Sequence, residues 1–118
     1  MKFITEDNIA ALYAAFVYFP PFDNYRFPPP SKVEFVVTSS VELYGEYQPC
    51  ESGDPHIITI STGKCSHLDT VVKTLMHEMI HMALYLEQPK GDYHSHKGRF
   101  SKLQKQVARI YGFDPKEL

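Results

Sequence analysis

The stretch of residues 68–88 places the strongest constraint on the fold, because its apolar residues lie on most sides of a helical wheel. A helix at the surface of a globular domain shows a single apolar stripe, so this pattern predicts a helix that is buried on several faces. Pro89 follows and cannot continue the helix. In a chain of 118 residues, 43% of them hydrophobic, such a helix predicts one domain over residues 1–118, built around it. The apolar residues of the stretch are Val71, Val72, Leu75, Met76, Met79, Ile80, Ala83 and Leu84.

Two amphipathic helices are predicted near the ends of the chain. Thr5 is typical of a helix N-cap, and an apolar residue recurs every three or four positions after it, which predicts a helix over residues 6–18. Pro20 and Pro21 end that pattern. The same spacing predicts a last helix over residues 97–111, and Gly112 is typical of the residue that follows a helix.

Three segments between these helices have the composition of β-strands. Residues 32–38, 41–47 and 56–61 are rich in β-branched and aromatic residues, and the second alternates polar with apolar side chains. Since the segments follow one another through short turns, they predict a small, mainly antiparallel sheet of three strands. We therefore expect an α+β fold with an N-terminal helix, the sheet, a central helix and a C-terminal helix.

The central helix carries two histidines and a glutamate, which are costly in an apolar setting. His77 and His81 are four residues apart, so on a helix they lie about 40° and roughly 6 Å from each other and can reach one metal ion. Glu78 lies beside them, near enough to contact a water molecule on that ion. Zinc lowers the pKa of bound water to about 7, and a carboxylate can take its proton. The motif therefore predicts a zinc-dependent hydrolase with Glu78 as general base.

A catalytic zinc site usually has three protein ligands, so a third must lie outside the motif. His94 and His96 lie just beyond the central helix, where a turn can bring either of them back toward it. Cys65 is a weaker candidate, because it lies only twelve residues before the motif. Glu87 lies too far around the helix from His81 to close the site. The spacing alone leaves both His94 and His96 open.

Residues 74–100 resemble the catalytic segment of SprT-like zinc metallopeptidases, the family that contains Spartan. In that family the two-histidine motif is followed, after a short loop, by a His-Gly-x-x-Phe element. Aligning Phe100 with the family phenylalanine implies that His96 is the third ligand, although Lys97 here separates it from Gly98. The resemblance implies a zincin-like fold, with the sheet along one side of the active-site helix, and a zinc endopeptidase. The implied zinc ligands are His77, His81 and His96.

The implied reaction is hydrolysis of a peptide bond, in which Glu78 takes a proton from water and passes it to the leaving amine. The strand at residues 57–61 is expected to lie at the edge of the sheet and to bind the peptide backbone by strand addition. Tyr93 or Tyr111 is expected to donate a hydrogen bond to the developing oxyanion.

Two other functions fit the same residues. One is a zinc-stabilised module that binds nucleic acid or protein without turnover, and the other is a metal-dependent hydrolase that acts on a different kind of bond. A structural zinc site has no use for a base beside its ligands. Glu78 therefore favours an enzyme over a binding module.

Charge is distributed unevenly along the chain. Residues 1–58 contain three basic and eight acidic side chains, whereas residues 59–118 contain nine basic and six acidic ones. The last predicted helix is therefore the place where DNA phosphates could be contacted, which would fit a peptidase acting on DNA-associated proteins. A solvated outer helix face has the same pattern. The basic residues are Lys97, Arg99, Lys102, Lys105 and Arg109.

The N-terminal residues and the two cysteines indicate the compartment. Glu6 and Asp7 stand where a secretory signal would have its apolar run, and no apolar stretch reaches the ~18 residues that span a bilayer. Cys50 and Cys65 are too few for a disulfide scaffold and are expected to be reduced. We therefore expect a cytoplasmic protein that does not enter a membrane.

Overall fold

Three α-helices and one three-stranded sheet make up the described part of the chain. The computed structural model describes residues 4–49, 55–63 and 67–118, so Cys50 and Cys65 lie outside the described residues. The α+β class agrees with the prediction. The elements are α1 (Glu6–Phe16), β1 (Val33–Thr38), β2 (Gly45–Gln48), β3 (His56–Ser61), α2 (Leu68–Glu87) and α3 (Arg99–Tyr111), with 3-10 turns at Phe22–Asn24, Pro30–Lys32 and Pro115–Glu117.

The helix ends are determined locally, which is why they could be predicted. The side chain of Thr5 accepts a hydrogen bond from the backbone of Asn8 at 3.2 Å, and the Asn8 side chain accepts one from the Thr5 backbone at 3.1 Å. This reciprocal pair satisfies two backbone donors at the start of α1. At the end of α3, Gly112 adopts φ 74° and ψ 26°, the left-handed conformation that glycine accepts without strain.

The sheet is mixed, and the prediction of a mainly antiparallel sheet is wrong. The strand order is β1-β3-β2; β1 pairs parallel with β3 from Val33–His56 to Thr38–Ser61, and β2 pairs antiparallel with β3. Consequently β3 is the central strand, so the expectation that residues 57–61 form an edge is also wrong. Ile58 and Ile60 are fully buried. This burial is consistent with a central strand that has a neighbouring strand on each side.

The central helix α2 packs against β2, β3 and α3, and to a lesser extent against α1. This arrangement confirms the prediction that it is buried on several faces. Among the described residues, no helix combines the length and the apolar character needed to cross a bilayer. The buried residues of α2 are Val71, Thr74, Leu75, Met76, Glu78, Met79, Ile80, His81, Met82, Ala83 and Leu84.

Gly45, the first residue of β2, allows this strand to lie directly against α2. A Cβ atom at this position would lie 2.7 Å from the carbonyl oxygen of Thr59 and 2.8 Å from a methyl group of Thr74. It would also lie 3.2 Å from a carboxylate oxygen of Glu78. Only a residue without a side chain therefore fits here, and the edge of the sheet is brought to the middle of α2.

Replacing Gly45 with alanine is expected to lower the free energy of unfolding by about 1–3 kcal/mol, because the added methyl group overpacks a contact with backbone. Chemical denaturation measures the change. Gln48, which is exposed on the same strand, provides the control, since Gln48→Ala adds no atoms to the packed side of β2. Equal stability of Gly45→Ala and the wild-type protein would contradict the close approach of β2 to α2.

Candidate metal centre

Two of the three predicted zinc ligands project from α2. The ring centroids of His77 and His81 lie 5.0 Å apart, as expected for residues one helical turn apart. Phe100, which is fully buried in the first turn of α3, packs against both rings at centroid distances of 4.9 and 4.5 Å. The phenylalanine gives the two imidazoles an apolar base that limits their rotation.

His96 comes from the loop of residues 88–98, between α2 and α3, and its ring meets both helical histidines. Its centroid lies 5.0 Å from that of His77 and 4.9 Å from that of His81. One ligand atom from each of the three residues lies within 4.8 Å of the others. His94 lies in the same loop, where its ring packs on Tyr93 at 3.9 Å. The structure therefore brings His96 together with the two helical histidines.

Backbone carbonyl groups orient the two helical imidazoles. His81 donates from Nδ1 to the carbonyl oxygen of Tyr93 at 2.6 Å, which leaves the lone pair of Nε2 facing His96. The distance between the Nε2 atoms of His81 and His96 is 3.1 Å. His77 donates to the backbone of Leu118. Each donor nitrogen therefore has a partner outside α2, and the remaining ring nitrogens converge.

The ionisation of these imidazoles suits a metal ligand, which must be unprotonated. Burial lowers the pKa of His81 to about 4 and also lowers the pKa of His77. Both rings are therefore neutral at pH 7. Zinc binds imidazole nitrogen at about 2.0–2.1 Å in tetrahedral sites, which places neighbouring nitrogens about 3.3 Å apart. The 3.1 Å separation of His81 and His96 fits that geometry.

Glu78 is almost completely buried beside these histidines, with 5% of its surface exposed. Burial is the main cause that raises its pKa to about 8, and the nearby carboxylate of Glu46 raises it further. The same side chain lines the cleft next to His77. A carboxylate with a raised pKa at the wall of a cleft is well suited to accept and return a proton.

A cleft runs past the histidines, between β2 and α2. It consists of a cavity of about 700 Å³ and a smaller one of about 220 Å³, and Gly45, His77 and Glu78 line both. The larger cavity is also lined by Tyr44, Asp69, Thr70, Lys73, Thr74, Lys116, Glu117 and Leu118. The smaller one is also lined by Glu46, Tyr47, His81, His94 and His96.

The tyrosines near the cleft differ from those expected. The hydroxyl of Tyr111 donates to the carbonyl of Pro20, and Tyr111 does not line the cleft, so its predicted contact with an oxyanion is wrong. Tyr93 contributes its carbonyl group to His81. Tyr44 lines the larger cavity instead, which the sequence pattern did not reveal because it showed only an alternating strand. The approach of Leu118 to His77 had no sequence signal either.

The basic residues of α3 and its preceding loop divide into two groups. Arg99 forms ion pairs with Asp92 and Glu87 at 2.9 and 2.8 Å, so its charge is already partnered. The exposed side chains of Lys102, Lys105 and Arg109 line a shallow cavity of about 520 Å³ on the outer face of α3, and Lys97 is exposed in the loop.

Comparisons with known proteins found no relative. No model of a known protein family matches the chain, and searches of curated proteins and of solved structures found no match either. The resemblance to SprT-like metallopeptidases therefore rests on the motif residues themselves. The function must be inferred from the geometry of the three histidines, Glu78 and the cleft.

Proposed function

We propose that the protein is a zinc-dependent endopeptidase of the zincin type, in which His77, His81 and His96 hold the metal and Glu78 is the general base. One observation carries this proposal. Ligand atoms of three histidines lie within 4.8 Å of one another, directly beside a buried carboxylate and at the wall of a cleft. Three ligands leave a coordination position for water or substrate, which is the arrangement of a catalytic rather than a structural site.

Each residue has a role that follows from its position. Zinc held by the three imidazoles would polarise the peptide carbonyl and lower the pKa of a bound water to about 7. Glu78 takes the proton of the attacking water and returns it to the nitrogen of the leaving amine. The carbonyl of Tyr93 holds His81 in the tautomer that presents Nε2.

Strand β2 is the element that supports a peptide substrate. Among the described residues it pairs with β3 alone, and Gly45 and Glu46 line the cleft. An extended peptide that adds to this strand would lie along the cleft beside Glu78. Strand addition uses backbone hydrogen bonds, so we propose little dependence on the sequence of the peptide. β2 thus replaces residues 57–61 as the proposed site of addition.

The position of Glu78 favours this proposal over the two alternatives. A binding module would be stabilised by zinc without a buried carboxylate whose burial is costly. A hydrolase of another kind of bond would use the same Glu78, but β2 is the edge strand of the described sheet, and strand addition there would supply backbone hydrogen bonds that suit a polypeptide. DNA-associated proteins remain a proposed substrate class, with DNA phosphates contacted by Lys97, Lys102, Lys105 and Arg109 rather than by Arg99.

Glu78→Gln is expected to retain zinc and to cleave a denatured protein substrate about 10²–10⁴-fold more slowly, because it removes the base but no ligand. Gel-based cleavage assays and zinc content by mass spectrometry measure the two effects. A chelator should abolish cleavage by the wild-type protein, and added zinc should restore it. Glu42→Gln is the control, because it removes the charge of an exposed side chain outside the cleft. A Glu78→Gln protein that cleaves at the wild-type rate would refute the assigned base.

His96→Ala is expected to weaken zinc binding by more than about 100-fold, because one of three ligands is lost. His94→Ala should bind zinc as the wild-type protein does, since its ring packs on Tyr93 instead. Competition with a chromophoric chelator measures both affinities. The reverse result, in which only His94→Ala loses zinc, would show that the third ligand is assigned to the wrong histidine.

The raised pKa of Glu78 predicts an effect of pH on the metal-free protein. The folded carboxyl group has a pKa of about 8 against an ordinary value of 4.5, so the folded state binds more protons between these values. The free energy of unfolding should therefore fall as pH rises from about 4.5 to 8. Glu78→Gln cannot ionise and should be more stable than wild type at pH 8, by on the order of 1–4 kcal/mol.

Urea unfolding in the presence of a chelator tests this prediction at pH 5, 6.5 and 8. The lowered pKa values of His77 and His81 act in the opposite direction, destabilising the fold as pH falls below about 6.5. Because both proteins contain these histidines, their effect cancels in the difference. A stability difference that stays constant with pH would contradict the burial of an ionisable Glu78.

A further inference from the structure

A single guanidinium group joins three parts of the chain beside the metal centre. Arg99, the first residue of α3, donates from Nε to Asp92 at 2.9 Å and from Nη1 to Glu87 at 2.8 Å. Glu87 is the last residue of α2, and Asp92 lies in the loop of residues 88–98. One side chain therefore connects the end of α2, the loop and the start of α3.

The groups that meet His81 from the loop lie inside the segment closed by this ion pair. The carbonyl of Tyr93, directly after Asp92, accepts the hydrogen bond from His81 at 2.6 Å. His96, three residues before Arg99, places its Nε2 at 3.1 Å from that of His81. The ion pair between Asp92 and Arg99 thus spans the part of the loop that contains both groups.

Apart from Tyr93, whose ring packs on Tyr85 of α2 at 5.1 Å, and His96, whose ring packs on Phe100 at 4.9 Å, few contacts define the shape of the loop. Most of its side chains are exposed, including those of His94, His96 and Lys97. The bonds within it are short-range, such as Ser95 to the carbonyl of Asp92 at 3.0 Å and Lys97 to the side chain of Ser95 at 3.1 Å. Bonds of this kind shape a turn but do not connect it to the helices on either side.

The loop is also packed closely over the guanidinium group. A Cβ atom at Gly91 would lie 2.9 Å from Nη2 of Arg99 and 2.9 Å from the amide oxygen of Gln88. Nη2 is buried, and it has no hydrogen-bond partner among the described residues. An unsatisfied buried donor opposes stability, and exposed ion pairs contribute little to it. The contribution of Arg99 to global stability is therefore small, and its effect is local.

We propose that Arg99 is a positioning residue, which holds the loop of residues 88–98 so that His96 and the carbonyl of Tyr93 meet His81. This inference rests on the proposed zinc site. The planar guanidinium binds two carboxylates in different directions at once, whereas the single ammonium of a lysine is less well suited to do so.

Zinc affinity measured by competition with a chromophoric chelator tests the proposal. Arg99→Ala should bind zinc about 10–100-fold more weakly than wild type, the usual effect of losing a residue that orients a ligand. Its melting temperature without metal should fall by less than about 5 °C. Lys90→Ala, which removes an exposed cation from the same loop, is the matched control and should change neither value.

Cobalt substitution provides a readout that a general loss of stability would not change. The visible spectrum of Co²⁺ in the wild-type protein should show tetrahedral coordination, and Arg99→Ala should lose intensity in it as His96 leaves the metal. Arg99→Lys should restore part of the affinity. In the Asp92→Ala background, Arg99→Ala should lower the zinc affinity less than it does in wild type, because the two residues act through one contact.

The possible outcomes separate this proposal from the proposed function. A wild-type protein that binds no zinc overturns both. Normal zinc affinity and a normal cobalt spectrum in Arg99→Ala overturn the positioning role alone, while the zinc site stands. If Arg99→Ala does not fold, Asp92→Ala decides the question, because it removes the acceptor of the loop contact and leaves the guanidinium in place. Unchanged zinc affinity in that variant also overturns the proposal.

Discussion

The burial of the His81 imidazole and the Glu78 carboxylate, with the half-buried imidazole of His77 beside them, is the constraint on which the rest of the structure depends. Buried polar groups are costly unless hydrogen bonds or charges compensate them. His81 is compensated by the carbonyl of Tyr93, and His77 by the backbone of Leu118. These partners come from the loop after α2 and from the last 3-10 turn. The paths of both segments are therefore linked to the polar side of α2.

The sheet contributes to the same region through its topology. Because β3 lies between the other strands, β2 is left at the edge and next to α2. Gly45 allows contact with the helix, and its neighbour Glu46 raises the pKa of Glu78. A meander with β2 in the centre would cover both edges of this strand. Among the described strands, the mixed order thus places β2 at the edge of the sheet, where it borders the cleft.

The sequence predicted what is determined locally. The capping residues Thr5 and Gly112 and the apolar periodicity gave the helix positions to within two residues, and the spacing of His77 and His81 gave two of the three clustered histidines. Strand order was not predictable, because alternation shows which face of a strand is buried but not which strand lies beside it. The choice between His94 and His96 depends on the path of a loop, which helical periodicity does not describe.

The three histidines differ in how firmly the fold holds them, and this difference affects metal binding. His77 and His81 project from a buried helix and pack on Phe100, so little conformational entropy is lost when they bind an ion. His96 also packs on Phe100, at 4.9 Å, but it lies in an exposed loop, whose backbone has to be held in place for a third bond to form. Any contact that orders this loop before the metal binds raises the affinity of the site for the metal. In the proposed zinc site, the affinity would therefore depend on residues 88–98 and the contacts that hold them as well as on the helix that carries the motif.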